Sequence, residues 1–299
     1  MLFLVRRYRR PALSDEPTAR EFALLARLQK RLPAIGDDAA VLDATTPSGR
    51  LLASVDTLVA GVDWRDEWSS PADVGWKSIM VNASDIAAMG GVPRWFLVAL
   101  VVSPGFDVDA FYDGALEACA AGDASVVGGD LSSGPATMVS VTALGHADRP
   151  VMRNGAHVGD AVWVSGPLGA AGRDLRELSG GHQVDGRAHR RPVARVDAGL
   201  AAAEAGATAM IDISDGLVAD AHHIARASNV MLALDSLPVA DGATRGDALY
   251  GGDDYELLAT TPPDAQLDGW VRIGMCVSGA PEVTVDGNLV DPQGWEHEL

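Results

Sequence analysis

Aspartate in this chain concentrates where apolar strands turn. Gly36-Asp37-Asp38 precedes AAVL, Ser54-Val55-Asp56 ends LLASV, and Gly128-Gly129-Asp130 closes SVV. Asp212-Ile213-Ser214-Asp215-Gly216 spans a strand-to-helix junction, and Gly251-Gly252-Asp253-Asp254 precedes YELLAT. Asn82-Ala83-Ser84-Asp85 lies in an otherwise apolar helix. One such Asp is ordinarily a turn residue or helix cap. Six recurrences constrain the fold, because a carboxylate desolvated at a strand end is costly unless something pairs it. The basic residues do not interleave with these motifs. The only lysines are Lys30 and Lys77, and Lys77, two turns before Asp85, is the nearest cation. Hard divalent cations are the natural partners: Mg2+ takes oxygen ligands, a few carboxylates together with phosphate oxygens. Neighbouring glycines let backbone approach a polyphosphate closely.

At 299 residues the chain is long enough for two domains. Its net charge of −18 argues against general nucleic-acid affinity, which rests on Lys and Arg at phosphates. No apolar run approaches the ~20 residues of a spanning helix, so no membrane partner is expected. Cys119 and Cys276 stand far apart, giving neither a disulfide framework nor a zinc ribbon, and the cytoplasm fits. The opening MLFLVRRYRR has the reverse order of a secretory signal; residues 1–17 read as a basic tail or as an over-early start codon.

Periodicity and punctuation predict a helix over 18–31 and strands near 39–42 and 51–55. Ser70-Pro71-Ala72-Asp73 is a strong helix start, N-cap followed by Pro, and that helix runs to about Met89 before Gly90-Gly91. On it Asn82 and Asp85 share a face, with almost no solvated side around them. FLVALVVS (96–103) reads as a fully buried strand. A helix near 107–121 and strands at 124–128 and 136–144 complete a first half. The connection at 147–152 marks a boundary. Beyond it come strands at 161–165, 208–213, 231–235, 255–260, 271–276 and 282–286, with helices near 168–178, 192–205 and 215–227. The polar segment 179–191 reads as a surface loop. Both halves mix strands and helices without strict alternation, so the class is α+β twice over.

Other nucleotide signatures are missing. Neither lysine follows a glycine, which removes a Walker A loop, and the protein-kinase motif set is absent. The turn Gly166-Pro167-Leu168-Gly169-Ala170-Ala171-Gly172 reads either as a phosphate turn or as a tight connection. His222 and His223 are adjacent, not i, i+4, so zinc-hydrolase chemistry finds no support.

Taken in order, GDDAAVL (36–42), SVDTLVAGVDW (54–64), DVGWKSIMVNASDIAAMGG (73–91), GGD (128–130), RNGAHVGD (153–160), IDISDGL (211–217) and GGDDYELL (251–258) resemble the thiamine-monophosphate kinase family, within the superfamily of aminoimidazole ribonucleotide synthetase. The resemblance implies a two-domain α+β fold. An N-terminal mixed sheet (18–148) would bind ATP and Mg2+ and form a homodimer, and a C-terminal α/β sandwich (149–299) would close the site. Asp38, Asp56, Asp85, Asp130, Asp212 and Asp215 would be Mg2+ ligands, assisted by Ser54 and the Val55 carbonyl. Of these, Asp38, Asp85, Asp130 and Asp215 would carry catalysis. Gly129, Asp130, Arg153 and Ser214 would contact ATP. Asp63, Asp253 and Trp295 would face thiamine monophosphate. Two positions depart from the family pattern, which has His where Asp63 stands and Glu where Asp253 stands.

The implied reaction converts ATP and thiamine monophosphate to ADP and thiamine diphosphate. The nucleophile is a phosphate oxygen, largely dianionic at pH 7 because a phosphomonoester's second pKa is near ~6, so no general base is needed. The difficulty is anion–anion repulsion, which carboxylate-held Mg2+ would screen while aligning an in-line transfer. The alternatives are a superfamily enzyme with a different phosphorylated or amide acceptor, and a non-catalytic nucleotide or metal sensor. Selenide-activating relatives carry a reactive Cys near the N-terminus and the hydrogenase-maturation relative ends in one; Cys119 and Cys276 match neither.

Overall fold

The structure, a computed structural model, describes residues 37–46 and 49–294. The helix expected at 18–31, the tail 1–17, Gly36 and Trp295 lie outside the described residues.

The first layer is a five-stranded sheet in the order β1-β2-β5-β3-β4. Its strands are β1 (Ala40–Thr46), β2 (Gly49–Val59), β3 (Val92–Val102), β4 (Ser125–Ser133) and β5 (Met138–Ala147). All pairs are antiparallel except β3 with β4, which are joined through a helix. Two helices, α1 (Pro71–Ala88) and α2 (Val108–Ala121), cover one face. α1 begins where the sequence says it should. Ser70 accepts from the Asp73 N–H while Asp73 reaches back to the Ser70 N–H, a capping box with Pro71 in the first turn.

The run 96–103 is not buried on both sides. In β3, Phe96, Val98 and Leu100 point into the core while Trp95 and Leu97 are exposed. The sheet has one helix-covered face and one open face, so a continuous apolar run here covers two different environments. Gly128-Gly129-Asp130, expected as a turn closing a strand, lies inside β4, next to a register shift against β3.

The second layer is a seven-stranded sheet, order β12-β11-β8-β10-β6-β9-β7. It comprises β6 (Ala161–Val164), β7 (Ala209–Asp212), β8 (Met231–Leu234), β9 (Leu257–Thr261), β10 (Val271–Val277), β11 (Val283–Val285) and β12 (Asn288–Val290). Strands β6 and β9 and the edge strand β7 are buried along their whole length. One face packs on α6 (Leu217–Ser228) and α7 (Arg245–Tyr250). The other packs against α5 (Val196–Glu204) and the end of α1, through Ala88, Ala202, Met210 and Leu257. α1 is therefore enclosed by both layers, which is why its sequence is apolar nearly all round. α3 (Ala170–Ser179) follows β6. The segment 179–191 is more than a surface loop: it contains the one-turn helix α4 (Arg187–Arg190), and His189 within it is buried.

Candidate functional site

α1 carries the centre of the site because it is the element both layers touch. Alternation along β2 turns Ser54 and Asp56 to its helix-covered face. There Ser54 Oγ donates to Asp85 Oδ2, and the Asp56 N–H donates to Asn82 Oδ1 at 3.0 Å. From the other layer, β7 ends at Asp212, whose Oδ2 accepts from Ser84 Oγ at 2.6 Å. Asp38, just before β1, is held by Arg153: Nη2 to Oδ1 at 2.6 Å and Nε to Oδ2 at 3.2 Å, a bidentate pair. The result is a convergence of Asp38, Asp85 and Asp212, with one carboxylate oxygen from each lying within 4.8 Å of the others.

Like charges at this spacing are unfavourable without a cation. Burial, then the charges of Asp56, Asp212 and Asp38, push the Asp85 carboxyl well above the usual carboxylate range, against the hydrogen bond from Ser54. Burial and Asp38 do the same to Asp212, opposed by Ser84 and Arg153. Burial opposes the charge on Arg153, but Asp38 outweighs it and the guanidinium pKa rises. An all-oxygen donor set of this kind suits Mg2+.

A second group stands at the start of α6. Asp215, Asp220 and His223 bring ligand atoms within 4.8 Å of one another. Asp220 Oδ2 accepts from the N–H groups of Asp215 at 3.2 Å and Gly216 at 3.1 Å. Burial, with smaller contributions from Arg153, Arg226 and His222, lowers the His223 pKa to about 4, so its ring is neutral near pH 7. Asp215 thus belongs to this group and not to the Asp38–Asp85–Asp212 set.

The remaining expected residues are distributed as follows. Asp130 is exposed on β4 and registers with Ala99, so it shares the open face of the first sheet. Gly129 precedes it in that strand. Val55 projects to the same open face, 61% exposed. Ser214 accepts the Asp253 N–H through its carbonyl at 2.8 Å. Asp63 turns back on its own loop, accepting the Val59 N–H at 2.7 Å. Asp253 meets Lys77 Nζ at 2.7 Å and His189 Nδ1 at 3.0 Å, while Tyr255 OH donates to its Oδ1 at 3.2 Å. The Gly166–Gly169 turn is a tight connection: the Gly169 N–H donates to Asp254 Oδ2 at 2.7 Å, which puts an internal carboxylate at the start of α3.

Sequence reasoning missed Asp220, His223 and His189. Asp220 and His223 sit three apart on a helix that already carried Asp215 at its entrance, a spacing that was available as a signal. His189 offered none, since its burial comes from packing against Trp68, at 6.5 Å between ring centroids, and from the approach of Asp253.

Residues 36–147 match the family described as AIR synthase related protein, N-terminal domain. The thiamine-monophosphate kinase of Aquifex aeolicus is 38% identical, over 93% of this chain and 97% of that protein. The one from Mycobacterium tuberculosis (strain ATCC 25618 / H37Rv) is 39% identical, over 95% and 94%. The solved structure of AaThiL complexed with AMPPCP and TMP superposes with a TM-score of 0.87 at 36% identity, covering 95% of this chain and 99% of that one. Hydrogenase maturation protein HypE in complex with ATP shares the fold, with a TM-score of 0.71 at 20% identity over 92% and 95% of the chains.

Proposed function

The chain belongs to the thiamine-monophosphate kinase family, and on that premise we propose how its site performs the ATP-dependent phosphorylation of thiamine monophosphate: by direct in-line transfer to the acceptor phosphate. The observation that carries this reading is the convergence of Asp38, Asp85 and Asp212 from three separate elements. Their mutual repulsion and burial leave them matched to divalent metal, so they, with Ser54 and Asp56 beside them, are the residues to hold Mg2+; Asp215 would serve from the α6 flank, and Asp130, on the opposite face of the first sheet, only across the proposed dimer. Mg2+, when bound, supplies charge screening between the two phosphates and alignment of the transferred group.

The chain's own groups divide the remaining work. Arg153 and Ser214 lie on the Asp38 and Asp215 sides, where they would hold the nucleotide; Gly129 and Asp130, on β4, would join them only across the proposed dimer. Asp63 and Asp253 lie at the loops assigned to the acceptor; Trp295 would join them. No side chain must take a proton from the nucleophile, since the acceptor phosphate is already anionic. Asp212 is buried and Asp85 half-buried, so closure over them by the bound substrates would limit the water that competes for the phosphoryl group.

We place the division between two domains at the connection from β5 to β6. The open face of the first sheet, with Val55, Trp95 and Leu97 exposed, is proposed as a homodimer surface. Cytoplasmic residence fits a chain in which no described helix is long and apolar enough to cross a membrane.

The test is product analysis with ATP, Mg2+ and a panel of phosphorylated acceptors, thiamine monophosphate first, using a stereochemically labelled γ-phosphate. Thiamine diphosphate formed with inversion at phosphorus is expected. Retention would overturn direct transfer, and turnover confined to another acceptor would overturn the substrate.

A further inference from the structure

Lys77 is almost completely buried on α1, one of the few cations inside a strongly acidic chain. Its ammonium is aimed at Asp253 Oδ2, the same oxygen that His189 Nδ1 approaches, while Tyr255 OH takes the other oxygen. Both carboxylate oxygens are therefore engaged inside the protein.

The backbone at this place is strained. Asp253 and Tyr255 have φ of 58° and 50°, left-handed values that non-glycine residues rarely adopt. Gly252, at φ 66°, leaves no room for a side chain, since a Cβ would lie 2.7 Å from the Ser214 carbonyl. Strain of this order persists only when the surroundings over-determine it. The loop is pinned on one side by N–H donors from Asp253 to Ser214 O and from Tyr255 to Ile213 O. On the other side Lys77 Nζ pins it by a hydrogen bond to Asp253 Oδ2, and His189 Nδ1 lies 3.0 Å from the same oxygen. A buried ion pair is weak grounds for stability, because desolvation offsets the attraction. A role in holding geometry accounts better for its presence here.

The position has a further consequence. Lys77 rides on the helix that presents Asp85, and the 251–255 loop docks on the strand end that presents Asp212. His189 brings in a third segment, whose neighbours Arg190 and Arg191 pair with Asp73 at the start of α1. Trp68, edge-on to His189, belongs to the loop that carries Asp63. One cluster thus joins the 251–255 loop, the segment of His189 and the loop that carries Trp68 and Asp63.

We propose that Lys77 and His189 are positioning residues that act through Asp253, locking the 251–255 loop in the conformation that receives the acceptor, and that Asp253 is the hub of this lock. The inference rests on the acceptor-side reading of that loop given above. The carboxylate is drawn onto Lys77 and His189, and what it holds is the loop.

The experiment is a double-mutant cycle on the full chain, Lys77→Met and Asp253→Asn singly and together, with steady-state kinetics for both substrates and a melting curve for each variant. Each single variant is expected to raise KM for thiamine monophosphate by about tenfold or more while KM for ATP changes by less than about threefold. The double variant should be no worse than the poorer single one within about threefold, since one lock is broken once. Lys77→Arg should recover part of the loss, and His189→Gln should repeat the pattern where Lys77→Met fails to fold. Multiplicative effects, a parallel rise in KM for ATP, or unchanged KM in a folded variant would overturn the lock. A wild-type protein inactive on thiamine monophosphate would overturn the acceptor reading instead.

Discussion

Asp85 is a residue whose environment works against it. It is surrounded by Asp38, Asp56 and Asp212 and relieved by one serine hydroxyl. Such a site stores instability that a bound cation releases. Asp85→Asn is therefore expected to cut kcat by about a thousandfold or more, as loss of a transition-state electrostatic group does. In Mg2+-free buffer the same variant should melt a few degrees higher, about 1–2 kcal/mol, because a buried like charge is gone. Turnover assays and melting curves with and without Mg2+ check both; full activity would remove Asp85 from the metal shell. Asp254 offers a pH test. Burial lifts its carboxyl to about 6, against the hydrogen bonds from Gly169 and Ala171. The folded state thus holds a proton that the unfolded chain releases near pH 4. Stability from this group falls as pH rises from about 4 to about 6 and is level above, a span of at most about 3 kcal/mol. Urea unfolding across pH 4–7 should show that decline, and Asp254→Asn should flatten it.

Helix α1 shows how an element becomes a site. It carries polar residues at Lys77, Asn82, Ser84 and Asp85, each reaching a different neighbour, and it lies against α2 with unusual closeness. Gly75 and Gly114 make that possible: a Cβ on Gly114 would fall 1.8 Å from the Ala72 carbonyl. Gly114→Ala must push the helices apart, costing about 1–3 kcal/mol by denaturant titration, and it should lower kcat by displacing Asp85. Gly122→Ala, where a Cβ meets nothing within 4 Å, is the control and should leave both within error. At this scale the sequence was most legible. The start and end of α1 followed from Ser70-Pro71 and Gly90-Gly91, which are local signals. The β3 run misled because hydrophobicity reports burial without saying on which face, and the glycines of β4 misled because a strand register shift and a turn use the same residues.

For the whole molecule, the two sheets differ in how they are covered. The second is packed on both faces, the first on one, and the exposed face of the first carries Val55, Trp95 and Leu97. On the proposed reading, a second copy of the same face would cover these side chains. Light scattering after gel filtration is expected to give twice the mass of the 31.1 kDa chain, and Leu97→Glu, on that face, to give the monomer. A wild-type monomer would remove the dimer proposal. Asp130 shares that open face, so covering it would decide what Asp130 can reach.

The amino-acid sequence by itself determined most of the inventory: the longer strands and helices, though not α4, α7 or β12, that carboxylates rather than cations cluster at their ends, and, through ordered motifs, which family they belong to. Those properties are local, set by spacing, capping and side-chain chemistry. Which aspartates meet was decided only by the tertiary structure. Asp38, Asp85 and Asp212 converge, Asp215 joins Asp220 and His223, and Asp130 stands apart on the open face. Convergence depends on strand register, on the face a helix presents and on the packing of one layer against another. Those are non-local choices, fixed by the burial of the whole chain.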